Sequence, residues 1–197
     1  MGRTKKVDRD TAREAALSAF WTNGYTGLGV RKLEELTGIN RFALQTEFGG
    51  KNGLFLEISK LYVSLWKDSY LEGIRTGNLD NVADYFLQRA SKSARAETNN
   101  GCLIFNTLSD EQLDAPDIRK EVSGFLRTIQ NSFASALHNE RAQGTLIGDL
   151  DIKETSQFLL SSLIGMNMLI KARQSNKAAL TTALALQKTI LSWRITA

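Results

Sequence analysis

The most informative part of the N-terminal sequence is Leu28–Lys51, LGVRKLEELTGINRFALQTEFGGK. Val30, Leu33 and Leu36 recur at helical spacing, which predicts one short helix. Gly38 follows it and can take the left-handed conformation that ends a helix. A second short helix follows the glycine. Two short helices joined by about three or four residues that include glycine form a helix-turn-helix.

The second helix of this motif is expected to begin after Asn40, whose side-chain oxygen can cap it. Its apolar side is formed by Ile39, by Phe42 or Ala43, and by Leu44 with Phe48. Arg41, Gln45 and Thr46 then point outward, where they can reach base edges or phosphates. An ordinary pair of helices with a solvated outer face would show the same pattern, so the rest of the chain has to distinguish the two interpretations.

The composition indicates a helical globular protein without disulfides, zinc or a membrane span. The 197 residues carry a net charge of +4, with one cysteine, one histidine and one proline. The most apolar run, Phe158–Ile170, is too short to cross a bilayer, and the N-terminus lacks the apolar core of a signal peptide. We therefore expect a cytoplasmic protein that does not contact membranes. No catalytic, phosphate-binding or metal-binding motif is present, so we expect neither an enzyme nor a cofactor.

Helical periodicity continues along the chain and predicts an all-α fold with about nine helices. The first begins near Asp8 or Asp10 and ends at Asn23, before Gly24. Beyond the helix-turn-helix, we expect helices over about 51–75, 79–96, 102–109, 116–143, 151–170 and 177–194. Residues 1–7 form a basic arm that is either disordered or lies along DNA phosphates.

Asp151 is expected to cap the helix that follows it, and this helix is apolar on nearly every side. A helix of this kind must be covered on more than one face. Either the last two helices, over about 151–194, are internal core, or their outer side meets a second copy of the chain in a symmetric dimer. The sequence favours the dimer.

With these elements in place, the chain resembles a TetR-type transcriptional regulator. The resemblance rests on Phe20, Gly24, Tyr25, Val30, Leu33, Gly38, Leu44, Phe48, Lys51, Leu54 and Phe55. The segment Gly101–Asn106 is similar to one found in a branch of that family. The resemblance implies a three-helix DNA-binding head over residues 1–50. It also implies a helical body over 51–197 that binds a ligand and dimerises, with 51–75 as the linking helix.

The candidate DNA contacts lie on both helices of the motif and at the start of the long helix. They are Arg31, Lys32, Asn40, Arg41, Phe42, Ala43, Gln45, Thr46 and Lys51. The chain departs from the family pattern at Gln45, which is usually tyrosine, and at Glu47, which is usually basic. It also has Leu28-Gly29 in place of a Thr-Ser cap, so the first helix of the motif is expected to start with a weaker cap.

The candidate ligand-binding residues are mainly aromatic, sulfur-containing or amide side chains of the body. They are Trp66, Tyr70, Phe86, Cys102, Phe105, Asn106, Phe125, Met166 and Asn167. Core packing is the simpler interpretation for most of them. Cys102 is expected either to be a small buried apolar residue or to act as a redox or electrophile sensor, and the first is favoured.

The resemblance implies a ligand-responsive repressor that binds a palindromic operator in double-stranded DNA as a homodimer. Its effector is a small molecule that the sequence does not identify. The alternative is a helical small-molecule-binding or scaffolding protein without specific DNA binding.

Overall fold

The computed structural model describes residues 9–95, 100–109, 114–172 and 176–195, and within these ranges the chain forms ten α-helical segments. In chain order they are α1 (Arg9–Gly27), α2 (Val30–Thr37), α3 (Arg41–Phe48), α4 (Gly50–Trp66), α5 (Glu72–Arg75), α6 (Leu79–Arg95), α7 (Leu103–Asn106), α8 (Pro116–Ala142), α9 (Ile152–Lys171) and α10 (Asn176–Leu191). The described residues contain no strand, only one isolated antiparallel bridge between Leu146 and Arg194. The all-α prediction is confirmed, and the basic arm over residues 1–7 lies outside the described residues.

The main differences from the predicted boundaries are in the long helix and in the last helix. The long helix is divided because a π-helical turn, Lys67–Leu71, separates α4 from α5, which accounts for the additional segment. The end of the first helix before Gly24 is confirmed, because Gly24 has φ 71° and ψ 171° and breaks the helix there, and the chain is helical again up to Gly27. The last helix ends at Leu191, which places Arg194 outside it.

The chain divides into two compact units. Unit 1 comprises residues 1–64 and 102–122, and unit 2 comprises residues 65–101 and 123–197. These units are defined by packing. The functional division into residues 1–50 and 51–197 stays a prediction.

Unit 1 is built around the aromatic rings of α1 and α4. The Phe55 ring lies 5.0 Å from that of Phe20 and 5.1 Å from that of Tyr25, both in edge-on contact. Leu33 of α2 and Leu44 of α3 are buried beside these helices. Leu36 recurs at helical spacing with Leu33, but it is 43% exposed. Burial of these side chains holds the helix-turn-helix on α1 and α4.

Unit 2 contains a cluster of six aromatic side chains from α4, the π-helical turn, α6 and α8. They are Trp66, Tyr70, Tyr85, Phe86, Phe125 and Phe133. The Trp66 ring lies 5.3 Å from that of Phe125, and those of Phe86 and Phe133 are stacked at 5.9 Å. In the same unit α6 packs against α10, and α9 contacts both. The Asp151 side chain caps α9 by accepting a hydrogen bond from the Glu154 amide at 2.9 Å, as predicted.

Glu140 joins three separate parts of unit 2. Its carboxylate is 1% exposed and accepts hydrogen bonds from Arg194 Nε at 2.8 Å, the Thr145 hydroxyl at 2.6 Å and the Leu79 amide at 3.2 Å. The Arg194 guanidinium is the main cause that lowers the pKa of Glu140 from 4.5 to about 2. Arg194 also contacts Asp80 at 2.9 Å. The network ties the start of α6, the end of α8 and the segment after α10 together.

Over the ranges that the structure describes, no helix has both the length and the apolar character needed to cross a membrane.

Candidate nucleic-acid interface

The turn between α2 and α3 is held by backbone and side-chain hydrogen bonds. Gly38 has φ 71° and ψ 2°, and its amide donates to the Glu34 carbonyl at 2.9 Å. The Thr37 hydroxyl donates to the Leu33 carbonyl at 2.7 Å and accepts from the Ile39 amide at 3.1 Å. The predicted left-handed glycine is therefore confirmed, and only a residue that tolerates positive φ fits this position without strain.

Two side chains cap the N-terminus of α3. The Asn40 side-chain oxygen accepts from the Ala43 amide at 2.8 Å, as predicted. The Glu34 carboxylate accepts from the Arg41 amide. The first amides of a helix have no partner within it, so these two acceptors satisfy two of them and fix the start of α3 relative to α2. Sequence reasoning missed Glu34. No local pattern marks this cap, because it depends on the angle between α2 and α3.

The outer face of α3 carries the side chains that were predicted to point outward. Arg41, Gln45 and Thr46 are exposed, while Leu44 is buried. Phe42 is 78% exposed and Ala43 is half-buried, so Ala43 takes the inner position that the sequence left open between them. The outward placement is confirmed. Contact of these side chains with DNA stays a prediction.

The two cations of α2 share one carboxylate. Arg31 Nε lies 3.5 Å from a Glu35 oxygen, and Lys32 Nζ lies 3.3 Å from the other. Both pairs are exposed, so they are weak and can be exchanged for contacts with phosphates. At the start of α2, Gly29 makes no side-chain cap, as the departure from the family pattern predicted. Leu28 is fully buried instead.

Lys51 lies in the first turn of α4 and is held by Tyr25. Its Nζ lies 4.0 Å from the centre of the Tyr25 ring, and the Tyr25 hydroxyl donates to the Asn52 side-chain oxygen. The ring also packs on Phe55. The face of an aromatic ring attracts a cation, so Tyr25 holds the Lys51 ammonium group near the start of α4. Sequence reasoning recognised Tyr25 only as part of the family pattern.

The candidate ligand-binding residues are divided between the two units. Trp66, Tyr70, Phe86 and Phe125 belong to the aromatic cluster of unit 2, and Met166 and Asn167 are buried on α9. Cys102, Phe105 and Asn106 lie in unit 1, at α7. Cys102 is fully buried, which fits a small apolar residue better than a sensor, since reactive thiols need access.

The Asn167 amide is a buried polar group without a protein partner. The residue is 1% exposed, and neither its side-chain nitrogen nor its oxygen makes a hydrogen bond. Buried amides are nearly always hydrogen-bonded, because an unsatisfied one costs about 1–3 kcal/mol. This amide is therefore available to bond a water molecule, a ligand or a second copy of the chain.

Unit 2 also has an open surface groove of about 530 Å³ between α8 and the start of α9. It is lined by Gln130, Asn131, Ala134, His138, Asp151, Ile152, Lys153 and Ser156. None of these was a candidate ligand-binding residue. No group of three or more histidine, cysteine or acidic side chains that could hold a metal ion occurs in the ranges that the structure describes.

Comparison with known proteins places the chain among helix-turn-helix regulators. The family described as tetracyclin repressor-like, C-terminal domain, matches residues 76–186. The HTH-type transcriptional repressor ComR of Escherichia coli K12 is 27% identical over 176 residues, covering 88% of this chain and 83% of that protein. The repressor BdcR of the same strain is 24% identical, covering 72% and 73%.

Solved structures show the same fold. A cysteine mutant of the TetR family transcriptional regulator CifR, complexed with 26bp double-strand operator DNA, matches with a TM-score of 0.82. It is 24% identical, and the match covers 94% of this chain and 98% of that one. The reduced form of E. coli NemR matches with a TM-score of 0.77 and 22% identity, covering 94% and 98%.

Proposed function

Since the chain belongs to the TetR family of DNA-binding transcriptional regulators, which are not enzymes, we propose that it is a ligand-responsive repressor. It binds a palindromic operator as a homodimer, with α3 in the major groove. The observation that carries the proposal is the exposed face of α3, held in place by the caps at Asn40 and Glu34. The alternative of a scaffolding protein without specific DNA binding has no support from these relatives.

In the proposed complex the outer face of α3 contacts base edges. Residues of α2 and α4 bind the phosphates of the DNA backbone. Arg41, Phe42, Gln45 and Thr46 are exposed on α3 and can enter the groove. Arg31 and Lys32 exchange Glu35 for phosphates, and Lys51 binds a phosphate at the start of α4. Asn40 and Ala43, at the start of α3, lie next to the sugar-phosphate backbone of the DNA in this complex.

The homodimer is proposed to form through α9 and α10. Phe158 of α9 and Leu180 and Leu184 of α10 are 46%, 37% and 44% exposed. Three large apolar side chains on two packed helices form a surface that a second copy can cover with the same residues. The dimer then sets the distance between two recognition helices, which must reach half-sites about 34–36 Å apart or a multiple of it.

Ligand response is proposed to act through unit 2, where the buried Asn167 amide can orient an effector next to apolar side chains. A ligand that prefers the conformation with low DNA affinity lowers operator binding by the coupling free energy, typically about 1–3 kcal/mol.

The test of operator binding is selection of duplexes from a random pool, followed by fluorescence anisotropy at two salt concentrations. Arg41→Ala should weaken binding to the selected site by about 1–3 kcal/mol. It should also reduce the sequence preference at one base pair. Lys51→Ala should weaken binding to all duplexes about equally. Lys60→Ala removes an exposed lysine farther along α4 and is the matched control. Failure to enrich any sequence, with no effect of Arg41→Ala, would refute the proposal.

The test of the dimer is light scattering after size-exclusion chromatography. Leu184→Glu should shift the protein towards the monomer and weaken operator binding. Leu65→Glu, at a side chain that is 54% exposed on α4, is the control and should leave the mass unchanged. A monomeric wild-type protein at micromolar concentration would contradict the proposed interface.

A further inference from the structure

The exposed face of the recognition helix α3 contains an apolar strip. Phe42 is 78% exposed, more than any other large hydrophobic side chain in the described part of the chain. Thr46 lies one turn further on and is exposed as well. Residues four positions apart are neighbours on a helix surface, so the two side chains form one strip beside the polar pair Arg41 and Gln45.

Thr46 contributes its methyl group to this strip. Its hydroxyl donates to the Phe42 carbonyl at 2.9 Å, so its only proton is already used inside the helix. A threonine in this state cannot donate to a base or phosphate without giving up that bond. Its methyl group remains available on the helix face that it shares with Phe42.

The two helices of the motif carry balanced formal charges. Helices α2 and α3 carry three cations, Arg31, Lys32 and Arg41. They also carry three carboxylates, Glu34, Glu35 and Glu47, so their formal charges cancel. Phosphate contacts do not distinguish one sequence from another, so discrimination between duplexes must come mainly from contacts with base edges.

We propose that Phe42 and the Thr46 methyl read the C5-methyl group of a thymine in the operator half-site. This inference rests on the proposed entry of α3 into the major groove. There, thymine presents a methyl group as its distinguishing apolar feature, while the other bases present hydrogen-bonding groups. An exposed aromatic ring beside a methyl group complements that feature and removes apolar surface from water when the complex forms.

The experiment removes single methyl groups from the DNA. Each thymine of the selected operator is replaced in turn by deoxyuridine, which lacks only the C5-methyl group, and binding is measured by fluorescence anisotropy. For the wild-type protein, one or two of these replacements in each half-site should each weaken binding about fourfold. This is the change in affinity expected when one buried methyl group is removed. Phe42→Ala should bind the unmodified operator more weakly and show no further loss at those positions.

Two variants make the result specific. Arg41→Ala should keep the fourfold loss on deoxyuridine replacement, although its overall affinity is lower. Phe42→Leu should keep part of the loss, because leucine retains an apolar side chain. Because Phe42 is so exposed, its replacement should leave the thermal unfolding temperature unchanged, which checks that the variants fold.

The outcomes separate this inference from the proposed function. If a sequence is enriched but no deoxyuridine replacement weakens wild-type binding, or Phe42→Ala keeps the full loss, the thymine assignment is wrong and operator binding stands. If no sequence is enriched, both are wrong.

Discussion

Replacing Glu140 by glutamine is expected to lower the free energy of unfolding at pH 7 by about 2–3 kcal/mol. The carboxylate is 1% exposed and bonded to Arg194, which is the main cause that lowers its pKa from 4.5 to about 2. A pKa difference of this size corresponds to about 3 kcal/mol. The Arg194 side chain is 33% exposed, and solvent screening reduces the value somewhat.

The pH dependence of the Glu140 contribution provides a second check. The pKa of this carboxyl group is lower in the folded than in the unfolded protein, so the unfolded chain binds the proton more readily. The stabilisation is complete above about pH 5 and is lost as the pH falls from 4.5 towards about 2. The difference between wild type and Glu140→Gln should therefore shrink to about 1 kcal/mol at pH 3.

The assay is urea denaturation followed by tryptophan fluorescence at pH 7 and at pH 3. Glu72→Gln is the matched control, because Glu72 also bonds an arginine, Arg75, but both side chains are exposed. This control should have little effect at either pH. Equal stability of wild type and Glu140→Gln at pH 7, or an equal difference at both pH values, would refute the reasoning.

Three further predictions concern the head and the body. Gly53→Ala would place a Cβ atom 1.7 Å from the Phe48 carbonyl oxygen and should lower stability by about 1–3 kcal/mol in denaturation experiments. Gly73→Ala has open space and should not destabilise, so a harmless Gly53→Ala would contradict the geometry. Glu34→Ala removes the acceptor at the start of α3 and should weaken operator binding about fivefold by anisotropy, the equivalent of one helix cap. Glu34→Gln retains an acceptor oxygen and should stay near wild type. If Glu34→Ala and Glu34→Gln bind the operator with equal affinity, the Glu34 cap does not contribute to operator binding. Asn167→Leu should raise the free energy of unfolding by about 1–2 kcal/mol, because it removes an unsatisfied buried amide. A loss of stability instead would show that the amide has a partner.

Predictions that depended on local backbone chemistry were confirmed. The left-handed Gly38, the Asn40 cap and the Asp151 cap lie where the sequence placed them. Each follows from one or two residues and the bonding needs of a helix end, so no distant contact can move it far. The division of the long helix by a π-helical turn was not predicted, since no glycine or proline marks its start.

The sequence predicted less well which side chains are buried and which are exposed. Leu36 fits the helical stripe of α2 by spacing but lies outside the buried face, and the inner position of α3 belongs to Ala43 rather than Phe42. Periodicity defines which residues share a face, but not how far the neighbouring helices cover it. The cap from Glu34 was missed for a related reason, because it depends on the angle between α2 and α3.

Local sequence was sufficient to predict where most helices begin and end, which residues form the helix-turn-helix, and the all-α class. These properties arise from interactions over a few residues. The contacts of Glu140 with Arg194 and with the Leu79 amide, which are 54 and 61 positions away, depend on the packing of the whole chain. The same holds for Lys51 above the Tyr25 ring and for the Asn167 amide without a partner. Such contacts depend on how whole helices pack, because packing brings together side chains that no local pattern relates.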